Sequence, residues 1–313
     1  MRPLITILLA ENVMRFLPAA VLLSLFTLPG AAMAAGPATV HHSYPIHYDG
    51  PMVHHGHGGA AADVSGDLPH FDVRFHGGPV QTRTVSYAIF WQPPHTYMSP
   101  TYRSLIERFL RDVGGSAIYG MATTYTGSNG RVQNRSRFGG SWIDRSPYPS
   151  RGISDQDLQF EVLKAANARN WSAGIDAQFF VFTARHALPN VQFCAYHSAF
   201  DYGFPGGVQT YAYGFIPYVG NVNGCNVPFG ISPNNDPDAD GSILNMSHEQ
   251  MEMVTDPLIN AWYDENNGEI GDICIYSFGV PIDFAGGNID IGSHPYFLQE
   301  DYSQARGSCQ PNL

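Results

Sequence analysis

Hydrophobic and polar positions along the chain switch between two periods, and the switches mark out the elements. Thr84 to Trp91 (TVSYAIFW) is a run of β-branched and aromatic residues closed by Pro93-Pro94, which predicts a strand. After Ser99-Pro100, Leu105, Ile106, Phe109 and Leu110 recur at the spacing of one helical face, predicting a helix over 99–113. Ala117 to Tyr125 is read as a second strand, and the polar, Gly- and Arg-rich stretch 126–152 as a loop. Ser154 stands in an N-cap position before Leu158, Val162, Leu163 and Ala166, so a second helix is expected to about Arg169. Ala177 to Thr183 (AQFFVFT) is a nearly unbroken apolar run, the mark of a strand covered on both faces. Tyr211 to Tyr218 is a further strand candidate. The turn-rich stretch 233–241 leads into a third helix, which Asp256-Pro257 stops because the residue before proline is driven out of the helical region. No internal repeat is present. Strands alternating with helices predict an α/β fold, with a single domain over 70–313 built on a mixed β-sheet with flanking helices.

Residues 1–35 stand outside that pattern. Met14-Arg15, the apolar run from Phe16 to Leu28, and Ala32-Met33-Ala34 have the order of a secretory signal peptide cleaved near Ala34. The apolar run is too short for a membrane span, and no other stretch is long and apolar enough. Residues 36–69 are rich in Gly, Pro, Ala and His without a hydrophobic period, and read as a flexible leader. Its histidines, His41, His42, His47, His54, His55 and His57, offer loose sites for Zn²⁺ or Cu²⁺, although a solvated, pH-responsive linker accounts for the same composition. A secreted location, extracellular or periplasmic, makes disulfides available to Cys194, Cys225, Cys274 and Cys309. Four cysteines allow three pairings; the pairing expected is Cys194 with Cys225 and Cys274 with Cys309. The spacing is too wide for a CxxC-type zinc site. The net charge of −11, with Lys164 as the one lysine, argues against nucleic acid or an anionic membrane as partner, because both need a positive patch.

The chemistry concentrates in the third helix, at Ser247-His248-Glu249-Gln250-Met251-Glu252. Residues four apart share a helical face, so His248 and Glu252 can reach one ion together. This is the arrangement of the H-E-x-x-H zinc helix with a carboxylate in place of the second imidazole, a swap that Zn²⁺ accepts. Glu249 falls where the general base of such enzymes takes a proton from metal-activated water. A catalytic zinc needs a third protein ligand and an open position. Glu269 and Asp272 are the downstream candidates, in an order similar to the third ligand and orienting acid of thermolysin-like enzymes. His197 is a further candidate, as ligand or as catalytic donor to a transition-state oxyanion. A solvated helix face with a His–Glu pair would show the same letters. Here the apolar flanks Met246, Met251 and Val254 point to burial, and buried carboxylates are costly without a compensating cation.

From Pro233 to Cys274 the chain resembles the signature of the EXORDIUM, or phosphate-induced, protein family. The resemblance rests on Asn234 in the turn, on His248, Glu249 and Glu252, and on Thr255 with Pro257. It continues through Asn260-Ala261-Trp262-Tyr263 and then Glu269, Ile270, Asp272 and Cys274. His76-Gly77-Gly78-Pro79 and the strand into Trp91 are similar to the opening of the family. Asn235 replaces the turn glycine, and Cys194-Ala195-Tyr196-His197 is shorter than the cysteine pair that precedes the histidine in the family. The resemblance implies an extracellular protein, here a secreted member of bacterial type. It strengthens the H-E-x-x-E cluster, and it names no substrate: the plant members are associated with cell-wall growth and have no well-defined biochemical activity.

Other groups weigh less. Asp236, Asp238 and Asp240 with Gly241 resemble the start of a Ca²⁺ loop, but Ser247 stands where an EF-hand needs glutamate, and an aspartate N-cap explains the same residues. Tyr263, His294 and Tyr296 are donors that ordinary packing accounts for. No G-x-S-x-G elbow occurs. The expectation is an exported zinc metallohydrolase, a metallopeptidase acting on extracellular protein or peptide. Two alternatives stand beside it. One is a non-enzymatic extracellular factor that binds cell-wall or surface polymer and uses the cluster as a structural metal site. The other is a carboxylate glycosidase using two of Glu249, Glu252 and Glu269.

Overall fold

The computed structural model describes residues 40–49, 73–188, 191–222, 224–228, 231–266, 268–279 and 286–311. The expected signal peptide and most of the expected leader, with His54, His55 and His57, lie outside the described residues. The main sheet has seven strands: β1 (Val40–Ser43), β2 (His47–Asp49), β3 (Thr84–Trp91), β4 (Ser136–Asp144), β5 (Ala177–Thr183), β6 (Ala195–Phe204) and β7 (Gly207–Ile216). Their order is β1-β6-β7-β5-β3-β4, with β2 also paired to β6. β7, β5, β3 and β4 run parallel to one another, while β6 is antiparallel to β7, β1 and β2. The fold is α/β on a mixed sheet, as the sequence predicts.

Three long helices cover the sheet: α1 (Tyr102–Asp112), α2 (Asp155–Arg169) and α3 (Pro237–Thr255). Side chains alternate across a strand, so β5 feeds two cores. Phe180 and Phe182 join the core under α1 and α3, whereas Phe179 and Val181 join the one under α2. On β6 the same alternation puts Ala195 and Ala199 on the α3 face, and Ala212 of β7 joins them. These small residues let α3 lie close to the sheet. Every residue of α3 from Ala239 to Thr255 is buried, which makes it a central helix rather than a surface one. No helix among the described residues is long and apolar enough to cross a membrane.

Several expectations change. Ala117 to Tyr125 is helical, with α-helix over Ala117–Gly120 and a 3-10 turn over Met121–Thr124. Ser116 caps it by accepting from Tyr119 N, and Ile118, Tyr119, Met121 and Ala122 are buried together. The stretch 126–152 contains β4, a half-buried outer strand whose Gly139 lies against Tyr87 and whose Gly140 has φ +135°. Those glycines gave it the composition of a loop. β6, which carries His197, falls in a stretch where the sequence predicts no strand. Residues 40–49 of the expected flexible leader instead add β1 and β2 to the sheet edge, because Tyr44 and Ile46 pack against the two cores. Both expected disulfides are present, Cys194–Cys225 and Cys274–Cys309.

Candidate metal centre

The rotation of α3 is fixed from the sheet side by a chain of buried amides. Gln250 Nε2 donates to Ser86 Oγ and to Gln178 Oε1, both at 3.2 Å, and Gln178 Nε2 donates to Gln81 Oε1 at 2.7 Å. With Gln250 held there, the neighbouring positions carry His248, Glu249 and Glu252 toward the C-terminal segments and the end of β6. At the N-terminus, Asp236 accepts from Ala239 N at 3.2 Å and from the hydroxyls of Ser99 and Thr101. The cap starts the helix at Pro237, ahead of the predicted turn's end.

Two sets of ligand atoms result. His248 Nε2 lies 3.1 Å from Glu252 Oε1, the i, i+4 pair, and 3.6 Å from Asp272 Oδ1. His197 Nδ1, arriving from β6, lies 2.9 Å from Glu249 Oε2 and 3.6 Å from Glu252 Oε2. Within each trio the ligand atoms fall within 4.8 Å of one another. Glu269 stands on the His197 side, its Oε2 3.5 Å from His197 Nε2. The two downstream acids are thus separated: Asp272 joins His248, and Glu269 joins His197.

Burial differs across the cluster. Glu249, Glu252 and His197 have no exposed surface, while the Asp272 side chain is 21% exposed and faces outward. Burial, then the charges of Glu252, Asp256, Asp272 and Glu249, holds the Glu269 carboxyl well above the ordinary carboxylate range. Asp256 is pushed up to about 6, first by burial, although the backbone N–H groups of Asn260, Ala261 and Trp262 oppose the shift. Asp301, buried near His248, is also raised well above its ordinary value, by burial first. Such costs are what a bound cation offsets. The donor set, imidazole nitrogen with carboxylate oxygen, fits zinc. One carboxylate oxygen, Glu252 Oε2, is buried and accepts no hydrogen bond.

Two supporting residues escaped the sequence reading. Gly271 lies so close that a Cβ there would sit 2.8 Å from the His248 ring and 2.9 Å from Glu252 Oε1. Its neighbour Asp272 donates its backbone N–H to Glu252 Oε1 at 3.1 Å. Gln299 donates to Gly271 O at 2.6 Å and lies 3.1 Å from His248 Nδ1. With the amide so oriented, Nδ1 accepts and Nε2–H points at Glu252. An ion at Nε2 therefore requires the Nδ1–H tautomer, with the amide oxygen as its acceptor and the bond from Gln299 to Gly271 O given up.

The remaining candidates engage elsewhere. Asp238 accepts from Tyr218, and Asp240 accepts from Ser232 and Asn234, so Asp236, Asp238 and Asp240 each serve different partners. His294 and Tyr296 bond Asp112, and Tyr263 stacks on His76 with ring centroids 3.6 Å apart. The two sequence blocks of the family resemblance also meet. Arg74–Phe75 pairs with Trp262–Tyr263, and Gly78 N donates to Asn260 O at 2.9 Å. Asp256 Oδ1 accepts from Asn260 N and Ala261 N, which ties that turn to the end of α3.

Fold and site define an α/β protein whose buried central helix carries half of a cluster of two histidines and four carboxylates. Over 246 residues the chain is 25% identical to Protein EXORDIUM-like 5 of Arabidopsis thaliana, covering 69% of this chain and 66% of that protein. With Protein EXORDIUM-like 3 of the same plant it shares 27% identity over 271 residues, 74% of this chain and 75% of the relative. These homologues support the resemblance carried by the motif, though the first match spans just under two thirds of that relative. No family model and no solved structure matches the chain.

Proposed function

We propose that the chain is an exported, zinc-dependent hydrolase, best described as a peptidase. The observation that carries this reading is the convergence of His248 Nε2, Glu252 Oε1 and Asp272 Oδ1, with Glu249 one residue from the first of them. Zinc held there would supply Lewis acidity, polarising a carbonyl and bringing the pKa of water to about 7. Glu249 is the proton acceptor, its carboxylate held in place by His197 at 2.9 Å. The exposed flank of Asp272 gives the direction of substrate approach. The two disulfides, one ahead of β6 and one just past Asp272, suit an oxidising exterior.

The test is elemental analysis combined with peptide-library hydrolysis. Wild type should carry zinc; His248→Ala should lose the zinc of the His248 trio and turnover. Glu249→Gln should keep zinc at the His248 trio and lose about 10²–10⁴-fold in rate. Zinc-free wild type, or a fully active Glu249→Gln, would defeat the proposal. The near-complete burial of Glu249 and Glu252 favours a second reading, a structural ion in a non-enzymatic extracellular factor. It predicts bound zinc, no turnover, and a lower melting temperature after chelation.

A further inference from the structure

The zinc site just described uses one oxygen of Glu252. The other, Oε2, is buried, accepts no hydrogen bond, and lies 3.6 Å from His197 Nδ1. His197 Nδ1 is in turn 2.9 Å from Glu249 Oε2. Ligand atoms about 2.0–2.2 Å from a tetrahedral zinc stand about 3.3–3.6 Å apart. The spacings in both trios, 2.9 and 3.6 Å in one and 3.1 and 3.6 Å in the other, bracket that range. The two oxygens of a single carboxylate therefore belong to two different donor sets.

Charge points the same way. Glu249, Glu252, Glu269 and Asp272 each place a carboxyl oxygen within 3.6 Å of a nitrogen of one of the two imidazoles. A cation beside each imidazole meets the acids of its own trio, whereas one cation reaches the acids of one trio. The surroundings of His197 complete the arrangement. With Nδ1 on an ion, Nε2–H faces Glu269 Oε2 at 3.5 Å, the carboxylate–histidine–metal order that orients a ligating ring.

We propose that the centre holds two divalent cations bridged by Glu252, the second bound by His197, Glu249 and Glu252 and oriented through Glu269. This rests on the metal-binding reading above. Ions so bridged lie about 3.5–4 Å apart. When the second ion is bound, Glu249 is a ligand and no longer a proton acceptor. The one-ion form is then the hydrolytic form, and the two-ion form is closed.

X-ray absorption at the zinc edge tests this on the full chain loaded with zinc alone. At two equivalents a zinc–zinc vector at about 3.5–4 Å should appear, and it should be absent at one equivalent. His197→Gln should abolish it. Glu269→Gln, which removes no ligand, should weaken the second ion by about 10–100-fold and keeps the test valid if the first variant does not fold. If wild type at two equivalents shows no vector, and His248→Gln abolishes binding, the second site is overturned while the metal reading stands. If His248→Gln takes up zinc as wild type does, both fall.

Discussion

Gln299 shows how far the centre depends on a side chain that touches no candidate ion. It stands at His248 Nδ1 and donates to Gly271 O, so it sets both the ring and the close backbone passage beside it. Because the amide donor at Nδ1 opposes an ion at Nε2, Gln299→Glu, which can only accept from Nδ1–H, should strengthen zinc binding by about 10–100-fold; competition with a chromophoric chelator measures it. Glu161 gives a second prediction at this scale. Burial, then the charge of Asp144, pushes its carboxyl up to about 7 against the pull of Lys164. The folded chain therefore holds a proton that the unfolded chain releases near 4.5. That stabilisation is complete below about pH 4.5 and lost as pH rises through 7, at a cost of about 1–3 kcal/mol. Glu161→Gln should flatten that slope relative to wild type in urea titrations across the interval. His248, Glu249 and Glu252 were legible because a helix turns i, i+4 spacing into shared direction. Asp272 and Glu269 were legible as a pair, but spacing holds nothing that assigns one to each histidine. Gln299 and Gly271 gave no signal, since their roles arise from a fold-dependent approach of distant segments.

Among the elements, α3 shows what periodicity captures and what it misses. Its stop at Asp256-Pro257 followed from backbone sterics, but its start did not. Asp236 caps it with help from Ser99 and Thr101, residues more than a hundred positions earlier. Asp236→Ala should cost about 1–2 kcal/mol in chemical denaturation, with a loss of zinc affinity that follows the fraying of the first turn. β6 was missed because its two faces, Ala195-His197-Ala199 and Tyr196-Ser198-Phe200, both mix polar with apolar residues, so no period-two contrast exists to detect. Ala117 to Tyr125 was misread for the opposite reason. Its β-prone letters are overridden by a serine cap and by burial on one helical face.

For the molecule as a whole, the parallel core of β3, β5 and β7 was readable from unbroken apolar runs, while the additions at both edges were not. The Cys274–Cys309 bridge ties the turn carrying Asp272 to the C-terminal hairpin beyond Gln299, across 35 residues. Reduction should remove about 3–4 kcal/mol by the loop-entropy relation. Zinc retention measured by equilibrium dialysis should fall with it. β1 and β2 occupy the hydrogen-bonding edge of β6, and His47 lies opposite His197 in the register. A recombinant form trimmed to begin at residue 70 would leave that row of amides unmet beside the cluster. Such an edge recruits a neighbour's strand, so the trimmed protein should elute from gel filtration as dimers or larger species when the longer form does not.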